Sequence, residues 1–109
     1  MALALNVFKT ITATAGVTTV GIYTAPVGYS AVVLMAQAAN VTTNTYTVTF
    51  AHQRSGITNE LASNMPIPGN DALSLITGRL IAQQNDVITL SASGNNGVKV
   101  TLSLLETLN

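Results

Sequence analysis

One residue of this chain is suited to general acid–base chemistry at neutral pH, the single histidine His52. A general base also needs an orienting partner and either a nucleophile or a positioned water. The nearest ionisable residues along the chain are Arg54 and Glu60, and their spacing matches no catalytic triad. The chain has only four acidic residues. We therefore predict a structural or incidental role for His52 and a protein that is not an enzyme.

Two Asn-Asp pairs, Asn70-Asp71 and Asn85-Asp86, carry the oxygen atoms that calcium prefers. Each pair also opens an extended segment, where an Asp side chain commonly bonds its own backbone in an Asx turn. Two carboxylates are too few for a calcium cage. The chain has no cysteine, which excludes disulfides and thiolate metal sites. We expect no metal, no other cofactor and no small-molecule substrate.

Three tyrosines, Tyr23, Tyr29 and Tyr46, raise the alternative of a platform on which sugars stack. The chain has no tryptophan, and aromatic residues make up only 5% of it. Packing in a core or an interface is therefore the favoured role for these rings.

Low charge is the most unusual property of the sequence. Asp, Glu, Lys and Arg make up 7% of the residues and the net charge is zero, whereas an ordinary domain has about 25% charged residues. The exposed positions must then be mainly Thr, Ser, Asn, Gln and Ala, and such a surface loses little hydration on contact. This favours a subunit that packs against others; the alternative is a neutral surface without a special purpose. The balanced, scattered charges also argue against nucleic-acid binding.

The length of 109 residues predicts one domain over residues 1–109. We expect no membrane span, because Gly, Pro, Asn and Thr interrupt the uncharged run from Thr10 to Gln53, and a spanning helix needs about 20 continuous apolar residues. The N-terminus, MALALNVFKTIT, lacks the basic and apolar blocks of a signal peptide.

The segments that position these residues are predicted to be β-strands. From Tyr46 to His52 apolar residues and threonines alternate with a period of two, which predicts a strand with one buried face. The segment from Ala31 to Ala39 is apolar on both faces, as in a central strand. Asn40 to Asn44 supplies turn residues, so we predict a hairpin between these two strands. Arg54-Ser55-Gly56 predicts the next turn.

A second hairpin is predicted near the end of the chain. Asp86 to Ser93 and Val98 to Leu108 are alternating strands, and the Asn and Gly residues between them tolerate the left-handed conformation. Ile57 to Ala62 predicts a short strand. Asn64 to Asp71 holds two prolines and a glycine, which predicts a loop. Its apolar part, residues 65–68, either contacts a neighbouring subunit or folds back over the end of the domain.

The segment from Leu3 to Thr14 also alternates. Residues 1–15 therefore form either a first strand of the domain or an arm that lies across a neighbouring subunit. With a strand from Val17 to Thr24, the chain has about eight strands, and its abundant Thr and Val favour sheet. We predict an all-β protein, a two-sheet antiparallel β-sandwich of jelly-roll or immunoglobulin-like topology.

Several short segments, each a turn followed by a strand, occur in an order that resembles a known class of proteins. They are Tyr23 to Gly28 before Ala31 to Leu34, Pro66 to Gly69 before Ala72 to Leu75, Asn85 to Ile88 before Leu90 to Gly94, and Val100 to Glu106 at the close. In order and spacing they resemble the small virion structural proteins of tailed bacteriophages, including cyanophages, over roughly residues 17–107. One departure is Asn85, where the resemblance leads us to expect glycine, and it touches turn geometry only.

The resemblance implies a non-enzymatic β-sandwich located in the virion and assembled in the host cytoplasm. The first hypothesis is a capsid cement, or decoration, protein that forms trimers on the head shell and contacts the major capsid protein. The alternative is a neck, collar or tail component arranged in a ring. From a different class, a carbohydrate-binding module for host attachment is a further alternative. The candidate assembly contacts are Leu3, Leu5, Val7, Phe8, Arg54, Met65, Pro66, Ile67 and Pro68.

Overall fold

A computed structural model describes residues 6–76 and 78–108. These residues form nine β-strands and no helix, which confirms the predicted all-β class. The strands are β1 (Asn6–Ala15), β2 (Val20–Thr24), β3 (Tyr29–Asn40), β4 (Tyr46–Arg54), β5 (Ile57–Ile67), β6 (Ala72–Ser74), β7 (Leu80–Ala82), β8 (Val87–Ala92) and β9 (Val98–Leu108).

The strands form two antiparallel sheets. The first sheet has the order β1-β9-β3-β6, with β7 also paired to β3, and the second has the order β2-β8-β4-β5. The pairings are nested: β1 with β9, β2 with β8, β3 with β6 and β7, and β4 with β5. This is the pattern of an eight-stranded jelly roll in which one strand is split into β6 and β7. Of the two predicted topologies, jelly-roll and immunoglobulin-like, the strand pairing is that of the jelly roll.

The predicted hairpin between β3 and β4 is wrong, because the two strands lie in different sheets. Asn40, at the end of β3, is 2% exposed. Its amide donates to the backbone carbonyls of Asn44 at 2.6 Å and Ile67 at 2.9 Å, while its oxygen accepts from the backbone and hydroxyl of Thr42. These bonds hold the connection as it crosses from the first sheet to the second.

The second predicted hairpin, between β8 and β9, also crosses between the sheets. Its glycines were predicted to adopt the left-handed conformation, but of residues 93–97 only Asn96 has a positive φ, of 64°. A Cβ on Gly94 would lie 2.8 Å from the ring of Tyr46, and a Cβ on Gly97 would overlap the same ring. The two glycines make room for Tyr46.

Among the described strands, β4 and β5 are joined by a local hairpin. Ser55 and Gly56 both have left-handed backbone conformations, with φ of 53° and 80°, as a two-residue turn of type I′ requires. The predicted loop from Asn64 to Asp71 is wrong in its first half, because β5 continues to Ile67. Pro66 is accommodated because β5 is an edge strand, where a missing N–H breaks no ladder bond.

The core lies between the inner faces of the two sheets. The side chains that alternate inward along the strands are fully buried there, the largest being Phe50, Ile67, Ile88, Leu90, Leu102 and Leu104. Burial of each such side chain stabilises the fold by about 1.5 to 3 kcal/mol relative to leaving it exposed. The apolar residues whose alternation predicted a buried face, such as Val48 and Phe50 on β4 and Val98 and Val100 on β9, lie on this inner face.

The N-terminal strand β1 pairs along its whole length with β9 of the same chain, from Asn6 opposite Thr107 to Ala15 opposite Val98. It forms one edge of the first sheet. Leu3 and Leu5, the first two candidate assembly contacts, lie outside the described residues.

Candidate functional site

The outer face of the first sheet carries an apolar row that crosses four of its strands, β1, β9, β3 and β7. Phe8 on β1 lies opposite Leu105 on β9, Leu105 opposite Val32 on β3, and Val32 opposite Ile81 on β7. Directly paired residues of antiparallel strands project from the same face with Cβ atoms about 5 Å apart, so the four side chains are neighbours. Phe8 is 75% and Ile81 is 58% exposed. We call these four residues the apolar row.

The rest of this outer face is small, polar and almost free of charge. A bulge in β3 beside the row exposes Leu34 and Met35. The neighbouring rows of the face are formed by Thr10, Thr12, Thr14, Thr101, Ser103, Gln37 and Ser74. Among the described residues that project from this face, Lys99 alone is charged. A partner that covers the face would strip water from few charged groups.

The candidate assembly contacts fall in three places. Phe8 is in the apolar row, whereas Val7 projects to the inner side of β1 and is half-buried. Met65 is half-buried and Pro66 exposed on the edge strand β5, and Pro68 follows them, also exposed. Ile67 is 0% exposed, so its side chain belongs to the core and is closed to a neighbouring subunit.

The seventh described candidate, Arg54, belongs to a polar cluster at one end of the sandwich. The Asp86 carboxylate, whose side chain is 3% exposed, lies 2.7 Å from Arg54 Nη2 and 2.9 Å from His52 Nε2. Arg54 Nε donates to the same carboxylate at 3.0 Å, and the backbone N–H of Gln83 donates to it at 2.8 Å. The predicted structural role of His52 thus has a physical basis: it is a partner of a buried acid.

The charge state of this cluster follows from its bonds. The hydrogen bond from Arg54 outweighs desolvation, and bonds from His52 and the Gln83 N–H add to it, so the pKa of Asp86 is held well below its usual range. The same bond to Asp86 raises the pKa of Arg54. Asp86 is therefore an anion fixed by its donors and is poorly suited to take up a proton as a general base.

A second buried carboxylate, Glu106, lies on β9. It accepts a hydrogen bond from the hydroxyl of Tyr23 at 2.6 Å and forms an ion pair with Lys9 Nζ at 3.1 Å. Burial, and then the hydrogen bond and charge of Glu106, raise the pKa of Tyr23, so the hydroxyl stays protonated. This cluster ties β2, β9 and β1 together.

The acidic residues and the histidine within residues 6–76 and 78–108 do not form a metal site. No three His, Asp or Glu side chains in this part of the chain group closely enough to hold a metal ion. Every buried side-chain nitrogen and oxygen that the structure describes has a hydrogen-bond partner. A polar cleft of about 600 Å³ opens beside Arg54, lined by residues 53–56 and 83–87, and no aromatic ring lines it.

The tyrosine platform considered for sugars is not formed by Tyr23 and Tyr46. Tyr23 is buried and lies beside Ile88 near the start of β8. Tyr46 packs on Gly94 and Gly97, beyond the other end of β8. The two rings therefore lie at opposite ends of the sandwich. None of the described residues forms a helix of the length and apolarity that crossing a membrane requires.

Sequence reasoning found Phe8 but missed the other three residues of the apolar row. The signal was present, because Val32, Leu105 and Ile81 are apolar at positions that face solvent. Without the strand pairing, however, nothing in the sequence places the four side chains together.

Comparisons with known proteins bear on the fold. No family model matches the chain, and no curated protein shows a significant sequence match. A chain of the acidic stable capsid of Helicobacter pylori bacteriophage KHP30 superposes with a TM-score of 0.58 at 13% identity, covering 96% of this chain and 89% of that one. A chain of the Bacillus endospore appendages, a family of disulfide-linked pili, superposes with a TM-score of 0.53 at 16% identity, covering 100% and 97%. At these identities the likeness is one of fold: the jelly roll of this chain is shared, over nearly its full length, with a viral capsid chain and a pilus chain.

Proposed function

We propose that the chain is a non-enzymatic structural protein of a tailed-bacteriophage virion. Within that class we favour a capsid cement protein that assembles as a trimer and stabilises the head shell. Its partners would be further copies of itself and the major capsid protein. Its location would be the virion, after assembly in the host cytoplasm.

The observation that carries a structural role is the outer face of the first sheet. Phe8 and Ile81 expose large apolar side chains there, in a row that continues through Leu105 and Val32. Exposed apolar side chains that form a continuous patch favour contact with other proteins. An almost uncharged surface around the row lowers the desolvation cost of that contact.

Two further observations support the phage assignment. The order of turn-and-strand phrases over residues 17–107 resembles phage virion proteins. The fold resembles that of a chain from a phage capsid over most of both chains. The non-enzymatic part of the proposal is supported by Asp86 and Glu106, the two buried acids, which are occupied by Arg54, His52, Tyr23 and Lys9.

A neck, collar or tail component is the second candidate. The likeness to a chain from endospore pili favours it, because a jelly roll of similar size builds a repeating fibre in that case. A carbohydrate-binding role is the weakest of the candidates, since Tyr23 and Tyr46 do not share a surface. A glycan array with reproducible hits would revive that role.

The test is the copy number per virion, from quantitative mass spectrometry of purified particles against the major capsid protein. Hundreds of copies, near one per capsid subunit, are expected of a cement protein, whereas about five to a few tens would indicate a ring in the neck or tail. Absence from purified virions would refute both. Light scattering of the isolated protein tests the trimer.

A further inference from the structure

We propose that the outer face of the first sheet is a self-association surface, on which a second copy of the chain packs sheet against sheet about a two-fold axis parallel to the strands. The axis runs between β9 and β3, the two central strands of this sheet. The inference does not rest on the proposed phage function. It adds a two-fold contact to the trimer proposed there, so a trimer that also used this face would pair into a hexamer.

The order of the strands makes such a face complementary to itself. A two-fold axis between β9 and β3 places β9 over β3 of the second copy, and β1 over β6 and β7. The apolar row then lies along its own counterpart. Phe8, 75% exposed, meets Ile81 of the second copy, 58% exposed, and Leu105 meets Val32. The most exposed apolar side chains of the row thus cover each other in two equivalent contacts.

The area of the face suits a dimer. Four strand positions at about 4.8 Å spacing and about ten residues at about 3.4 Å each give a projected face of roughly 650 Å². A stable interface buries roughly 800 Å² of accessible surface on each partner. Side-chain relief makes the accessible area larger than the projected one, so the whole face comes within the range of a standard interface.

The charges also favour a second copy over a charged partner. Lys99 is the charged residue among those that the structure describes on this face. It lies six residues from Leu105 along β9, which is about 20 Å at 3.4 Å per residue. In the proposed dimer the two Lys99 side chains lie at the rim of the contact, where they extend into water. An anionic partner could form an ion pair with Lys99 alone among the residues described on this face.

The test is a charge exchange across the proposed contact, read by sedimentation equilibrium of the purified full chain. Phe8→Glu or Ile81→Lys alone should weaken dimerisation by at least about 30-fold, as loss of a hot-spot residue does. The double variant Phe8→Glu/Ile81→Lys should recover at least about 10-fold of that loss, because each Glu then meets a Lys of the other copy. Within one chain the two positions are three strand spacings apart, about 14 Å, too far for a direct ion pair.

Ile57→Glu is the matched control. Ile57 is 66% exposed, at the start of the edge strand β5 in the other sheet, and this variant should leave the dissociation constant unchanged. Thermal unfolding of each variant checks the fold, and Phe8→Ser and Ile81→Ser replace any charged variant that fails to fold. The proposal is overturned if the wild-type protein forms only monomers up to about 1 mM, a range in which even weak dimers appear. It is also overturned if wild-type forms only odd-numbered oligomers, if Ile57→Glu matches the effect of Phe8→Glu, or if the double variant shows no recovery.

Discussion

Asn40 connects the two sheets through its side chain, and replacing it with aspartate tests that role. The amide of Asn40 donates to the carbonyls of Asn44 and Ile67, at 2.6 and 2.9 Å, from a position that is 2% exposed. Aspartate has nearly the same shape but cannot donate when ionised. Asn40→Asp therefore replaces two hydrogen bonds with two repulsive contacts and leaves the accepted bonds from Thr42 in place.

The magnitude follows from these contacts. Each hydrogen bond contributes about 1 kcal/mol, and a buried acceptor left without a donor costs about 1 to 3 kcal/mol more. Asn40→Asp should lower the free energy of unfolding by about 3 to 5 kcal/mol at neutral pH. Asn40→Ala loses these donors and also the acceptor of the two bonds from Thr42, so it should cost a similar amount, about 3 to 5 kcal/mol. The informative result is the difference between Asn40→Asp and the wild type, in which the donors alone are lost.

The assay is urea denaturation followed by circular dichroism, with Asn59→Asp as the control. Asn59 lies exposed on β5, so this change should shift stability by less than about 0.5 kcal/mol. If Asn40→Asp proved as stable as the wild type, the donor role of Asn40 would be refuted. A connection held mainly by the packing of its neighbours would give that result.

Two further substitutions test the polar cluster and a close backbone contact. Asp86→Asn should lower stability by about 3 kcal/mol at neutral pH, because the buried partner of Arg54 loses its charge. The pKa of Asp86 is depressed in the folded state, so the stabilisation by Asp86 is present above its unfolded pKa of about 3.9 and is lost as the pH falls below that value. The free energies of unfolding of wild type and variant should therefore converge in acid. A constant difference between them from pH 7 to 2 would contradict this. Asp71→Asn, at an exposed site, is the control for urea titrations across that range. Gly69→Ala should cost at least about 2 kcal/mol, because its Cβ would overlap the backbone of Thr43; a melting temperature within about 2 °C of the wild type would count against that contact.

The fold class could be predicted because period-two alternation reports which face of a strand is buried, and β4 and β9 show it clearly. The partner of each strand could not be predicted in the same way. Turn residues such as those at 40–44 show where the chain reverses, but they do not show whether it returns to the same sheet or crosses to the other. Asn85 adopts φ of 69°, a conformation that asparagine and glycine share, so its departure from the resemblance keeps the turn.

The candidate site was harder to predict than the fold. Pro66 indicated a loop because a proline breaks a ladder in an inner strand, and only the edge position of β5 makes it compatible with sheet. The clusters around Asp86 and Glu106 join residues far apart in sequence, such as His52 and Asp86, and no local spacing signals them. The apolar row depends on four strands and therefore on the complete topology.

The nested pairing has a consequence for the order of folding. The β4–β5 hairpin closes around two residues, whereas β1 and β9 join positions as distant as Asn6 and Thr107. Loop-closure entropy therefore favours pairing from the Ser55-Gly56 turn outward, with slow folding overall and with β1 joining last. Until it does, β9 offers an open strand to any chain nearby, so we expect the yield of correctly refolded protein to fall as the chain concentration rises.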